Sequence, residues 1–237
     1  MDSTSYKPYQ LSIRLQSDGF SLCITDEDLS VLSTKKGKIN LLKLNEEELV
    51  EEFKLLFETD IKYKTTVLVI ENEQYTLVPE FFTSNDVYMD LMKFQHPDFD
   101  INTNIIFNKG IDSVKSNLIF GCPAKIVSAI KIVFSNIEIS HTIVDFLENI
   151  ENSNGVFVAL GNKKIDVAVV AQSKLLLLNT FSYSSNEDIL YHLLNIMYTL
   201  KLQAEMRQLS IYTHQNEPEL QSMLAKHIPN TTIIQSK

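Results

Sequence analysis

Apolar and polar residues alternate in three short runs near the start of the chain. Leu11, Ile13 and Leu15 form the first, Phe20, Leu22 and Ile24 the second, and Leu29 with Val31 the third. A period of two places one set of side chains on one sheet face, so the runs predict a three-stranded antiparallel meander. The pattern returns at an offset of 145: Val156, Val158 and Leu160, then Ile165, Val167 and Val169, then Lys174 with Leu176. Leu11 to Thr34 thus aligns with Val156 to Asn179 without a gap, and Asp26-Glu27-Asp28 falls on Ala171-Gln172-Ser173. The third run is the weakest, because Lys174 stands where the first copy has Leu29.

Each meander precedes a helical pattern. Asn45-Glu46-Glu47-Glu48 opens one with Leu49, Phe53, Leu56 and Phe57 on a face, and Ser185-Asn186-Glu187-Asp188 opens another with Ile189, Leu193, Ile196, Met197 and Leu200. A capping residue followed by acids satisfies free amides and the helix dipole. Val67-Leu68-Val69-Ile70 and Leu209-Ser210-Ile211-Tyr212 then predict parallel strands reached by crossovers. The first copy alone continues into an insert around 71–122. There Leu77 to Phe82 leads to a helix ending near Phe94, and Ile105-Ile106-Phe107 with Leu118-Ile119-Phe120 predicts a hairpin. A helix from about Pro123 to Phe134 and another near Val144 to Ile150 close this half. Asn152-Ser153-Asn154-Gly155 is the best boundary, which divides the chain into 1–152 and 153–237.

A repeated unit of meander, helix, parallel strand and further helix resembles the ribonuclease-H-like half of the actin-like ATPases. The whole chain is similar to an uncharacterised Bacteroidetes family with an actin-like ATPase fold, with Leu77-Val78-Pro79 adding to the likeness. The fold class expected is α/β, two ribonuclease-H-like subdomains, each a mixed sheet flanked by helices. Gly155 to Leu178 looks like the second phosphate hairpin of that superfamily. Its first turn is Gly161-Asn162-Lys163-Lys164.

The resemblance implies a pattern of apolar-Asp-apolar-Gly followed by small hydroxyl residues in each hairpin. The Asp would position metal or water, and Gly with Ser or Thr would let amides reach phosphate. The first hairpin instead reads Ile13-Arg14-Leu15-Gln16-Ser17-Asp18-Gly19, with Arg14 for Asp and Gln16 for Gly. The second reads Val158-Ala159-Leu160-Gly161, keeping the Gly but putting Ala159 for Asp. None of the six glycines lies beyond 161, so the Gly-Gly turn expected against adenosine has no candidate. Catalysis by the family mechanism is therefore disfavoured, as are ATP and magnesium as cofactors.

Composition narrows the partners. A net charge of −9 argues against nucleic acid and anionic membranes, whose general binding needs clustered Lys and Arg. No run approaches the roughly 20 apolar residues of a membrane span. The first six residues lack a secretory pattern, Cys23 and Cys122 are widely separated with neither in a C-x-x-C pair, and Cys23 in its apolar run reads as a buried thiol, so a cytoplasmic location is expected. Lys35-Lys36-Gly37-Lys38 reads as a solvated loop, outside any phosphate-loop frame. The five histidines show no metal spacing, and Ser184-Ser185 reads as a helix cap. Tyr75, Phe81, Phe82, Tyr88 and Phe94 form an aromatic-dense stretch, part core and part candidate interaction patch.

Two functions follow. The first is a non-catalytic scaffold or adaptor that binds a protein partner, with a homodimer allowed. The alternative is a nucleotide-binding protein or weak ATPase with a rearranged site built from Ser17, Gly161, Asn162, Lys163 and Lys164.

Overall fold

The computed structural model describes residues 9–16, 19–28, 30–56, 63–82, 84–134, 136–150, 154–202 and 208–235. Ser17, Asp18, Leu29, Phe57, Asn152 and Ser153, which the sequence reading used, lie outside the described residues. The chain divides into two compact units, one of residues 1–111 and 115–144, the other of 112–114 and 145–237. Among the described residues no helix is long and apolar enough to cross a membrane.

The first unit is built on a five-stranded sheet of β1 (Gln10–Gln16), β2 (Gly19–Thr25), β3 (Val31–Gly37), β4 (Thr65–Ile70) and β8 (Glu138–His141), in the order β3-β2-β1-β4-β8. β1 to β3 run antiparallel, while β4 and β8 add in parallel. In β1, Leu11, Ile13 and Leu15 turn inward and are buried. Helix α1 (Glu46–Leu56) buries Leu49 and Phe53 and packs on α3 (Ala124–Val133), whose Ile126, Val127, Ala129 and Ile130 are buried. An Asn45–Glu48 capping box starts α1: the Glu48 N–H donates to Asn45 Oδ1 at 3.0 Å, and the Asn45 N–H to the Glu48 carboxylate at 2.8 Å.

The second unit repeats this plan with β9 (Gly155–Leu160), β10 (Lys164–Ala171), β11 (Lys174–Ser182), β12 (Leu209–Thr213) and β13 (Thr231–Gln235), in the order β11-β10-β9-β12-β13. Helices α5 (Asn186–Thr199) and α6 (Pro218–His227) bury Ile189, Leu193, Ile196, Met197, Leu220 and Leu224 against it. Ser185 and Asp188 form a second capping box. The hairpin registers coincide at the offset of 145, since Leu15 faces Phe20 and Leu160 faces Ile165. Even the bulge recurs, between Ile24 and Thr25 and between Val169 and Val170.

The third strands depart from the gapless alignment. Thr25 faces Val31, but Val170 faces Leu175, so Val31 corresponds to Leu175 and not to Leu176. The β10–β11 turn is one residue tighter, with Gln172 and Ser173 at φ of 52° and 59°. That shift removes the mismatch at Lys174. Lys35-Lys36-Gly37, expected in a loop, lies in β3. The strand is held by its ladder to β2, and since Val31 to Lys36 are exposed on both faces, it carries no alternation to read. Gly37 is required there. A Cβ on it would stand 2.2 Å from the Phe20 ring, and one on Gly19 would stand 2.1 Å from the Gly37 carbonyl oxygen.

The insert forms its own three-stranded sheet, β5 (Tyr75–Pro79), β7 (Ser116–Pro123) and β6 (Asn104–Ile111), ordered β5-β7-β6. Helix α2 (Asn85–Gln95) covers one face, packing Tyr88 and Met92 with Val78, Phe99 and Ile119. Helix α4 (Thr142–Glu148) follows β8 directly.

Candidate functional site

The four described members of the candidate site are contiguous in the β9–β10 turn. Gly161, Asn162 and Lys163 are exposed, and Lys164 begins β10, half-buried and paired with Ser182. Lys163 takes a left-handed backbone at φ 61°, uncommon for a residue with a Cβ. Tyr183, just past β11, holds the turn from outside. Its N–H donates to the Lys163 carbonyl at 3.0 Å, and its hydroxyl donates to the Gly161 carbonyl at 2.8 Å. Burial pushes the Tyr183 phenol up, and the Glu217 charge adds to this against a Lys163 backbone contact. The phenol therefore stays protonated as a donor. The Gly161 N–H donates across the turn to the Lys164 carbonyl at 2.9 Å.

Beside the turn, Ala159 faces Asp166 on β10, placing a carboxylate one strand away from the position the resemblance assigns. Asp166 accepts the Thr180 hydroxyl at 2.6 Å.

In the first unit the matching positions are occupied differently. Arg14 lies opposite Ser21, and Gln16 at the end of β1 donates its amide to the Glu71 carboxylate at 2.9 Å. The Glu71 N–H in turn donates to the Leu15 carbonyl at 3.0 Å. The carboxyl ends of parallel strands are where open α/β sheets place ligands. Here a part-buried Gln16–Glu71 pair spans that end of β1 and β4. Burial raises the Cys23 thiol, with Arg14 opposing, and burial lifts Cys122 to about 12, so neither is a ready nucleophile.

His141, at the end of β8, was not singled out by the sequence. It is fully buried between the rings of Tyr75 and Phe120, each centroid 5.3 Å away. Its Nδ1 accepts the Ile143 N–H at 3.2 Å, capping α4, so the proton resides on Nε2. Among the described residues that Nε2 makes no hydrogen bond of good geometry. Burial depresses the ring to about 3, with the Asn72 backbone opposing. Its neighbours are aromatic, and the Asn72 side chain donates to the Gly121 carbonyl at 2.9 Å, so the ring's role is to seat the insert on the main sheet. Lys109 of β6 also pairs with Glu138 of β8. Among the described residues no group of three or more His, Cys, Asp or Glu is arranged to hold a metal ion.

A family model described as protein of unknown function (DUF3822) matches residues 1–231. The chain belongs to this family. No curated protein matches it. Among solved structures, a Bacteroides thetaiotaomicron VPI-5482 protein of unknown function with an actin-like ATPase fold is similar to this DUF3822 chain. Its TM-score is 0.77 at 21% identity, covering 99% of this chain and 93% of that one. A chain of the PilM–PilN type IV pilus biogenesis complex gives a TM-score of 0.55 at 10% identity, with 95% and 88% covered. The cytoplasmic domain of EpsL, an inner membrane component of the type II secretion system of Vibrio cholerae, gives 0.51 at 9%, with 97% and 86% covered. The DUF3822 chain thus has the actin-like ATPase fold, with two mixed sheets and a small third one.

Proposed function

We propose that this chain is a non-catalytic actin-like module that works as a scaffold or adaptor, binding another protein. One observation carries the reading. In the hairpin that keeps its glycine, the Gly161 amide is already given to the Lys164 carbonyl, beside an Ala159 that supplies no carboxylate. A phosphate needs amides pointing at it, and a magnesium ion needs an oxygen ligand set. Two structural neighbours are described as parts of assemblies, a secretion-system component and a pilus biogenesis complex, which supports a binding role. Phe81, Phe82 and Phe94 of the insert are exposed, while Tyr75 and Tyr88 are core, and the insert is where a partner would find apolar surface. The unpaired thiols Cys23 and Cys122 fit a reducing cytoplasm.

The test is a thermal melt with and without ATP and magnesium. Ligand at a hundred times its dissociation constant would add about 2.7 kcal/mol, which for a chain of this size raises Tm by roughly 5–10 °C. No shift is expected. A clear rise, abolished by Gly161→Asp, would overturn this reading in favour of a nucleotide site at Gly161, Asn162, Lys163 and Lys164 with Ser17.

A further inference from the structure

The capping boxes at Asn45 and Ser185 place α1 and α5 in a common register, and their buried faces agree: Leu49 and Phe53 in one, Ile189 and Leu193 in the other. Their outer faces do not. Where α1 exposes Glu51 and Lys54 with a single apolar residue, Leu55, α5 exposes Tyr191 and Leu194, and Tyr198 follows one turn later. These side chains are 66%, 39% and 84% exposed. Burying large apolar groups is the main drive to association, and three of them in line on one helix form an unpartnered face.

The spacing is specific. Within α5, Glu187, Tyr191, Leu194 and Tyr198 are separated by four, three and four residues, the a/d rhythm of a helix-pairing seam, and Lys201 follows past the helix end with a left-handed backbone at φ 50°. From Glu187 to Tyr198 the seam covers about 17 Å. The Tyr191 ring is already set edge-on against His192, with centroids 5.7 Å apart. The two ends carry opposite charge, an exposed Glu187 in the first turn and an exposed Lys201 just beyond the last. The seam is therefore complementary to itself when reversed. In an antiparallel pair, Glu187 meets Lys201 of the second copy, Tyr191 meets its Tyr198, and Leu194 lies beside its Leu194 near the two-fold axis. A parallel pair would instead set Glu187 against Glu187 and Lys201 against Lys201.

The geometry points to α5 as a homodimer interface, packed antiparallel against α5 of a second copy around a two-fold axis. One helix seam is smaller than a standard interface, so the dimer is a weak, concentration-dependent one.

Sedimentation velocity on the full chain tests this. Wild type should pass from monomer to dimer as concentration rises to ~100 µM, the range expected of a small interface. Tyr191→Glu with Leu194→Lys installs the α1 residues and should leave a monomer with unchanged circular dichroism and melting. Glu187→Lys and Lys201→Glu should each weaken the dimer several-fold, and the two together should restore it. A wild type that stays monomeric throughout overturns the proposal. So does a dimer that survives Tyr191→Glu with Leu194→Lys, or a double charge reversal that is no better than either single one.

Discussion

The two units hold the same strands in the same order, yet they spend their surfaces differently. β1 and β9, β2 and β10, α1 and α5 share register, bulge and capping box, and their inward residues are apolar in both. Outward, β3 is exposed on both faces, whereas Leu175, Leu177 and Leu178 of β11 are half-buried. After β4 the first unit builds a second sheet before reaching β8, whereas after β12 the second unit goes through α6 alone to β13. The core positions are interchangeable because burial asks only for apolar volume. The turns and outer faces, free of that demand, are where the copies became different molecules.

Truncation at the matched helix positions tests the shared core with the largest effect. Phe53→Ala and Leu193→Ala, both at fully buried sites, should each cost about 3–4 kcal/mol in urea unfolding. A loss below about 1 kcal/mol at either position would break the equivalence of the two cores.

His141 should separate the units by pH. Its counterpart at the end of β13 is Gln235, which is exposed and does not titrate. The folded ring titrates near 3 and a free histidine near 6.5, so as pH falls the unfolded chain takes up the proton first. The stability this group contributes is complete above about pH 6.5 and drains away between there and about 3. His141→Asn keeps a side chain able to cap α4 and removes the titration. Between pH 7 and pH 5, wild type should lose about 2 kcal/mol more than the variant. Parallel acid profiles would place the acid sensitivity elsewhere.

The smallest expected effect concerns the caps. Asn45→Ala and Ser185→Ala should each lower stability by about 1 kcal/mol, measured by denaturant midpoint at constant slope. Unequal losses would mean that one helix draws its start from packing and not from its capping box.

Much of this architecture is legible in the residues themselves. Leu11, Ile13 and Leu15 alternate because one side of β1 is core, and Asn45 or Ser185 with acids behind it marks a helix start whatever the surroundings. β3 is opaque for the opposite reason: Ser33 to Lys36 sit in a strand whose two faces see water, so only the ladder to β2 defines it. The one-residue shift of β11 hides in a tight turn at Gln172 and Ser173 that neither residue type advertises. At the candidate site, Gly161 to Lys164 do fall in a single turn, as the pattern implies. Tyr183 was unreadable, because its role depends on where β11 ends, twenty-two residues from the carbonyl it holds. His141 was equally hidden, since nothing local distinguishes a solvated histidine from one walled in by Tyr75 and Phe120.

The insert also sets how the chain must close its loops. In the second unit the link from Thr213 to Thr231 is short, so β13 can join β12 soon after α6 forms. In the first unit β8 must find β4 across the whole stretch from Ile70 to Glu138, roughly four times longer, which as a flexible loop costs about 1 kcal/mol more to close. A three-stranded sheet that folds within that stretch draws its ends together and shortens the effective loop. The order of assembly follows: the second sheet completes from local steps, while the first waits on its guest.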